Sequence, residues 1–190
     1  MRVFLSVIII ILSIHSWSKA DDIKDFQIEG ITLGDTALAH FEKSEILSSQ
    51  VSMGYVNKKF QAAAFENKKF DVYDQIDIEF IADDINFIIK SLTGTVYLKD
   101  MSNCSEKIST VSKDIKNLLK IKPSDFVEYN HQADSNGKVQ EVNFRINDDA
   151  IYIQCYYYSK KQKSEGSRDN FSVNMWSKEY IDFLESNPYQ

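Results

Sequence analysis

Few residues in this chain combine the type and the spacing that chemistry requires. Asp77 and Glu79 stand two apart in "YDQIDIEF", residues 73 to 80, where Ile76, Ile78 and Phe80 alternate against them. Such alternation makes a half-buried strand and sends both carboxylates to its wet face. A glycosidase works with a pair of carboxylates, so a carboxylate-dependent hydrolase is one reading of the pair. Solvation of an antiparallel sheet accounts for it without catalysis. His40 and His131 are the histidines beyond the first twenty residues. Neither belongs to an H-E-x-x-H helix, and the sequence holds no G-x-S-x-G elbow and no glycine-rich phosphate loop. "DSNG" at 134 to 137 starts like a calcium loop but lacks the later ligands and the closing glutamate, so it reads as a turn. No catalytic residue, metal set or cofactor is implied, and the chain reads as a non-enzyme.

The second chemical feature is a pair of cysteines, Cys104 and Cys155. An even, widely spaced pair in an exported chain points to a disulfide; a metal site wants more ligands at closer spacing. The bond would close a loop of about 50 residues, for which the chain-entropy model gives about 4 kcal/mol. It also fixes the parity of "IYIQCYYYSK", residues 151 to 160. If Cys155 faces the helix that carries Cys104, then Ile151, Ile153 and Tyr157 face it too, and Tyr152, Gln154, Tyr156 and Tyr158 point the other way. The neighbouring runs agree. Val142, Phe144 and Ile146 turn inward with Phe171, Val173 and Met175, leaving Glu141, Asn143, Arg145, Ser172, Asn174 and Trp176 outward. The candidate binding surface is therefore Tyr152, Tyr156, Tyr158, Trp176, Arg145, Asn143 and Asn174. Aromatic rings with arginine and amides are favoured at protein and carbohydrate interfaces.

These positions need elements to hold them. "IEGITLGDTALAHFEKSEIL" supplies turn glycines Gly30 and Gly34, then Asp35 as a helix cap ahead of Leu38 and Phe41, with a restart at Ser44 through Ile46 and Leu47. Strands follow over 60 to 65, 73 to 80 and "NFIIKSLTGTVYL", where Gly94 marks a bulge or bend. Residues 102 to 120 form a helix, with Cys104, Ile108, Val111, Ile115, Leu118 and Leu119 on one stripe. Strands over 126 to 131, 139 to 146 and 150 to 159 are joined by turns at "DSNGK" and "NDDA". "KKQKSEGSR" reads as a solvated loop before a strand over 171 to 176, and Ser177 caps a last helix carrying Tyr180, Ile181 and Leu184. The expected fold class is α+β, with helices packed on one face of an antiparallel meander sheet in two helix-then-strands units.

Arg2, the apolar run from Val3 to Ile14 and the end "SKA" read as a signal peptide cleaved after Ala20. The run is shorter than the ~20 residues that span a bilayer. Residues 21 to 190 would then form a single periplasmic or secreted domain, without a stable membrane span. Cleavage removes Arg2 and Lys19 and moves the formal charge from −6 to −8. An acidic chain repels phosphate backbones, which argues against a nucleic-acid partner.

"IEGITLGDTALAHF" resembles the opening of small exported bacterial proteins of uncharacterised role. More distantly it is similar to small outer-membrane assembly lipoproteins and to β-lactamase-inhibitor-like modules, which pair a helix with an antiparallel sheet. The resemblance implies that architecture and carries no functional residue, and the lipidated cysteine of the lipoproteins has no counterpart here. The expectation is an exported binding module for a protein or an envelope polymer. The alternative is a structural envelope protein without a discrete ligand, and behind it stands the hydrolase.

Overall fold

The computed structural model describes residues 23–66, 70–131, 134–186 and 188–189. The expected signal peptide lies outside the described residues. Eight strands form one antiparallel sheet: β1 (Gln50–Val51), β2 (Phe60–Glu66), β3 (Gln75–Ile81), β4 (Ser91–Tyr97), β5 (Val127–His131), β6 (Asp134–Ile146), β7 (Asp149–Tyr157) and β8 (Asn170–Trp176). Their order is β1-β2-β3-β4-β8-β7-β6-β5. Two four-stranded meanders thus join through their last strands, with Gly94 opposite Val173 at the seam. Four helices accompany them: α1 (Lys43–Ser48), α2 (Cys104–Leu119), α3 (Lys160–Ser164) and α4 (Lys178–Glu185). The fold is α+β and mostly sheet.

Alternation decides which face is buried. Phe65, Ile76, Ile78, Phe80, Leu92, Phe144, Ile151, Ile153, Val173 and Met175 turn to the inner face and form one core with Ile46 of α1 and Cys104, Ile108, Ile115 and Leu119 of α2. Phe41 stacks on Phe65 with ring centroids 3.8 Å apart. Cys104 and Cys155 are disulfide-bonded, which ties the start of α2 to the inner side of β7. Lys120, at φ 58, and Pro123 beyond it end α2.

The structure corrects several expectations. The helices do not share one face: α1 and α2 cover the inner face, whereas Tyr180 and Phe183 of α4 pack on Phe60 across the outer one. The first expected helix splits into a 3-10 turn (Ala37–Ala39), capped by Thr36 rather than Asp35, and α1, so Leu38 ends exposed while Phe41 is buried. Gly94 is no bulge but an ordinary register position between Ile76 and Val173. The Tyr73 ring lies 2.6 Å from where its Cβ would stand, so only glycine fits beneath that ring. "DSNGK" belongs to β6, with the register shifting between Asn130 and His131, and the Asp134 carboxylate accepts from the Ser159 N–H at 2.7 Å. The basic stretch at 160 to 168 is not all loop. Its first five residues form α3, whose N-terminus is capped by the Ser159 hydroxyl.

Candidate functional site on the outer face of the sheet

Side chains of alternate parity line up across the strands in ranks. One rank runs Asp77, Thr93, Asn174, Tyr152, Asn143. The next towards one end runs Gln75, Thr95, Ser172, Gln154, Glu141, Val127, and the one beyond it Tyr97, Asn170, Tyr156, Val139, Tyr129. On the other side of the first rank stand Glu79, Ser91, Trp176, Ala150 and Arg145. The outward set expected from parity is thus on one face. Twist and the covering α4 make that face the floor of a groove of ≈ 1810 Å³, walled by Tyr55, Tyr180 and Tyr189 on one side. Its volume exceeds the about 300–1,000 Å³ of small-ligand pockets.

The floor is a hydrogen-bonded network. Glu141 Oε2 accepts from the Tyr129 hydroxyl and from Gln154 Nε2, both at 2.7 Å, and Oε1 accepts from Asn143 Nδ2 at 3.1 Å. Gln154 Oε1 accepts from the Tyr156 hydroxyl at 2.7 Å and from Asn174 Nδ2 at 2.9 Å, and Thr93 Oγ1 donates to Asn174 Oδ1 at 2.8 Å. Donors and acceptors are matched along the chain, which fixes rotamers and leaves the central part rigid.

The β3 side is less satisfied. Asp77 accepts from Gln75 Nε2 at 2.6 Å, and Gln75 in turn accepts from the Tyr97 hydroxyl. Burial pushes the Asp77 carboxyl up to about 6, although the Gln75 amide opposes the rise. Glu79 was expected to be solvated, but it is 4% exposed because Tyr180 lies over it and donates to Oε1 at 3.2 Å. Burial pushes this carboxyl up to about 7. Ser91, directly across on β4, faces this carboxyl, and its hydroxyl opposes the rise as the Tyr180 hydroxyl does.

The aromatic set divides in two. Tyr152 packs on Trp176 at 4.1 Å with the rings tilted by 40°, and Trp176 meets Tyr180 edge-on at 5.8 Å, so this group lies against α4. Tyr156 and Tyr158 stack at 6.2 Å beyond the network, with the His131 ring 5.6 and 5.3 Å away. Tyr152 and Asn174 are buried, at 8% and 4%; Tyr156, Tyr158, Trp176 and Asn143 are half-buried; Arg145 is exposed, its guanidinium 5.7 Å from the Tyr152 ring. Burial raises the Tyr156 phenol well above the tyrosine range and lowers His131. Tyr97, Tyr129, Thr93, Tyr180 and His131 join the site without having been foreseen. Alternation in "FVEYNH" could have found Tyr129 and His131, since Val127, Tyr129 and His131 share one parity. His40 lies elsewhere, 2.9 Å from Asp35.

Among the described residues no group of three or more His, Cys, Asp or Glu could hold a metal ion, and no helix is long and apolar enough to cross a membrane. No family model, curated protein or solved structure matches the chain.

Proposed function

We propose that the protein is an exported, disulfide-stabilised binding module that holds a partner protein or envelope polymer in the groove on its outer sheet face. Export rests on the signal-like start and on the cysteine pair, whose disulfide persists in oxidising compartments. Binding rests above all on one observation: a groove larger than a small-molecule pocket whose floor combines a fixed amide and hydroxyl network with partly buried rings at Tyr156, Tyr158 and Trp176. Rigid aromatic anchors beside satisfied polar groups give affinity without a large ordering cost.

Catalysis is less well supported. Asp77 and Glu79 stand side by side on one strand, whereas the two carboxyl groups of a glycosidase flank the scissile bond. Cross-linking in the native compartment tests the binding reading. Adducts recovered with wild type and with Lys107→Ala on the solvent face of α2, but lost with Tyr156→Ala and Tyr158→Ala, are expected. Adducts that survive both tyrosine changes leave the structural envelope role as the better account.

A further inference from the structure

The two edges of the sheet are finished differently. β1 is two residues long, which leaves little edge for another strand to join. β5 runs five residues, Val127–His131, and four of them are exposed. Edge strands are ordinarily blunted by lysine, proline, a bulge that twists the edge away or a covering element. β5 holds no lysine or proline, and its register shift falls at the far end, between Asn130 and His131. Among the described residues no backbone hydrogen bond reaches it from any element other than β6. Its one carboxylate, Glu128, is held by Lys138 at 2.7 Å and by the Gln140 amide at 3.0 Å, so the edge is locally neutral. Phe126, Val127 and Tyr129 leave apolar surface along it, at 50%, 43% and 40% exposed.

Which backbone groups are open follows from β6. The Asn143 N–H donates to Ser124 Oγ at 2.9 Å, and its C=O accepts from the Ser124 N–H at 2.7 Å, so the Asn143 backbone points to the β5 side. Alternation turns Glu141 and Val139 the same way, towards their partners Val127 and Tyr129. The N–H and C=O of Glu128 and Asn130 therefore point away from the sheet, and an added antiparallel strand must join through these two residues. β5 fits itself in this respect. Pairing centred on Tyr129 overlaps the whole strand, sets Glu128 opposite Asn130 of the second copy, where both carry open groups, and sets Tyr129 opposite its own mate. The register that would oppose Glu128 to Glu128 sets like charges together and shortens the overlap.

We infer that the β5 edge is a homodimer interface, at which two copies join antiparallel about a twofold axis at Tyr129 and merge their sheets into one. The acidic balance of the chain opposes this only weakly at physiological salt, where screening acts within about 8 Å. The axis stands perpendicular to the sheet, so both outer faces point the same way. Five strand spacings separate β7 from its mate, about 24 Å at about 4.8 Å each. Two outer faces held at a fixed separation engage a repeating target bivalently. The dimer itself depends on the edge alone and stands apart from what the groove takes.

Sedimentation velocity of the exported protein tests this. An edge this short makes a small, transient interface, so the sedimentation coefficient should rise from the monomer value towards the dimer value between about 1 and about 200 μM. Glu128→Pro should stay monomeric throughout, because proline removes an N–H that points outward and leaves the bonds to β6 in place. Ile85→Ser, which removes the exposed apolar side chain of a distant turn, should behave as wild type. If Glu128→Pro does not fold, cross-linking decides. Tyr129→Cys sets two thiols on a pair whose Cα atoms are about 4.5 Å apart, within disulfide reach, and mild oxidation should give a covalent dimer, whereas Lys107→Cys on the solvent face of α2 should not. Wild type that stays monomeric over the whole range overturns the inference. So does a dimer that persists in Glu128→Pro or is lost in Ile85→Ser, and so does cross-linking no greater at position 129 than at 107.

Discussion

Glu79→Gln should stabilise the protein at alkaline pH and do little at acid pH. The buried carboxyl is raised from 4.5 to about 7 by desolvation, so the folded state holds its proton more tightly than the unfolded chain does. Between those two values the folded protein is protonated and the unfolded chain is not. Stability therefore falls as pH rises through that window, and the full penalty stands above it. The interval corresponds to about 3 kcal/mol. Asp77, raised to about 6, contributes a decline of the same sign in an overlapping window, which the Glu79 substitution leaves in place. Glutamine keeps an oxygen for the Tyr180 hydroxyl and can turn its N–H towards the Ser91 hydroxyl across the strand pair. Urea unfolding with the disulfide intact should show a gain approaching about 3 kcal/mol at pH 8 and under about 1 kcal/mol at pH 5. For a chain of this size the pH 8 gain amounts to about 6–12 °C in Tm. A variant no more stable than wild type at pH 8, or one that gains equally at both pH values, refutes the assignment of the charge cost to Glu79.

Three other outcomes follow from the same geometry. Ile153→Ala, on the inner side of β7, should cost about 2–5 kcal/mol in chemical unfolding, whereas Tyr156→Ala, half-open on the outer side, should cost about 1–2 kcal/mol, mainly through the hydrogen bond to Gln154. Equal losses would mean that both faces of β7 are core. Replacing Cys104 and Cys155 together by serine should lower stability by about 4 kcal/mol, given their separation of 51 residues, and a thiol assay on the exported wild type should find neither cysteine free. Gly94→Ala should destabilise by about 1–3 kcal/mol, because its Cβ would stand 2.6 Å from the Tyr73 ring, and Tyr73→Ala in the same chain should remove most of that strain.

The strands were legible because their side chains alternate. Ile76, Ile78 and Phe80 against Asp77 and Glu79, or Ile151 and Ile153 against Tyr152 and Gln154, determine both the element and its facing once Cys155 is placed against α2. The sheet order was not legible, since alternation says nothing about which edge a strand joins, and the seam between β4 and β8 depends on contacts far apart in sequence. Nor was the site of α4. Tyr180, Ile181 and Leu184 announce an apolar stripe without saying what it covers. Phe60, of the same parity as Ala62 and so on the outer face, was the one available clue that something apolar would sit there. Glu79 was misjudged for the same reason, because a carboxylate's spacing on a strand cannot reveal a helix that returns more than ninety residues later. Parity did bring together the outward tyrosines and amides. Their division into a group against α4 at Trp176 and a group beside His131 at Tyr156 came only with the structure.

The two ends of the groove are built on opposite energetics. Glu141 accepts from three neutral donors, and its surroundings are fixed whether or not α4 is docked. Glu79 is faced by Ser91 of β4 and by Tyr180, which belongs to α4. Keeping that helix over a buried charge costs about 3 kcal/mol above neutral pH. Against this, burial of Tyr180 and Phe183 on Phe60 and Tyr55 contributes about 1.5–3 kcal/mol for each ring. Exposed ion pairs from Lys59 and Lys90 to Glu179 add little more. With Ile181 also buried on Ala150 and Tyr152, the apolar contribution exceeds the charge cost, so α4 remains docked at neutral pH. Protonation of Glu79 widens that margin. The same carboxylate that costs stability at alkaline pH therefore sets how firmly the wall of the groove is held.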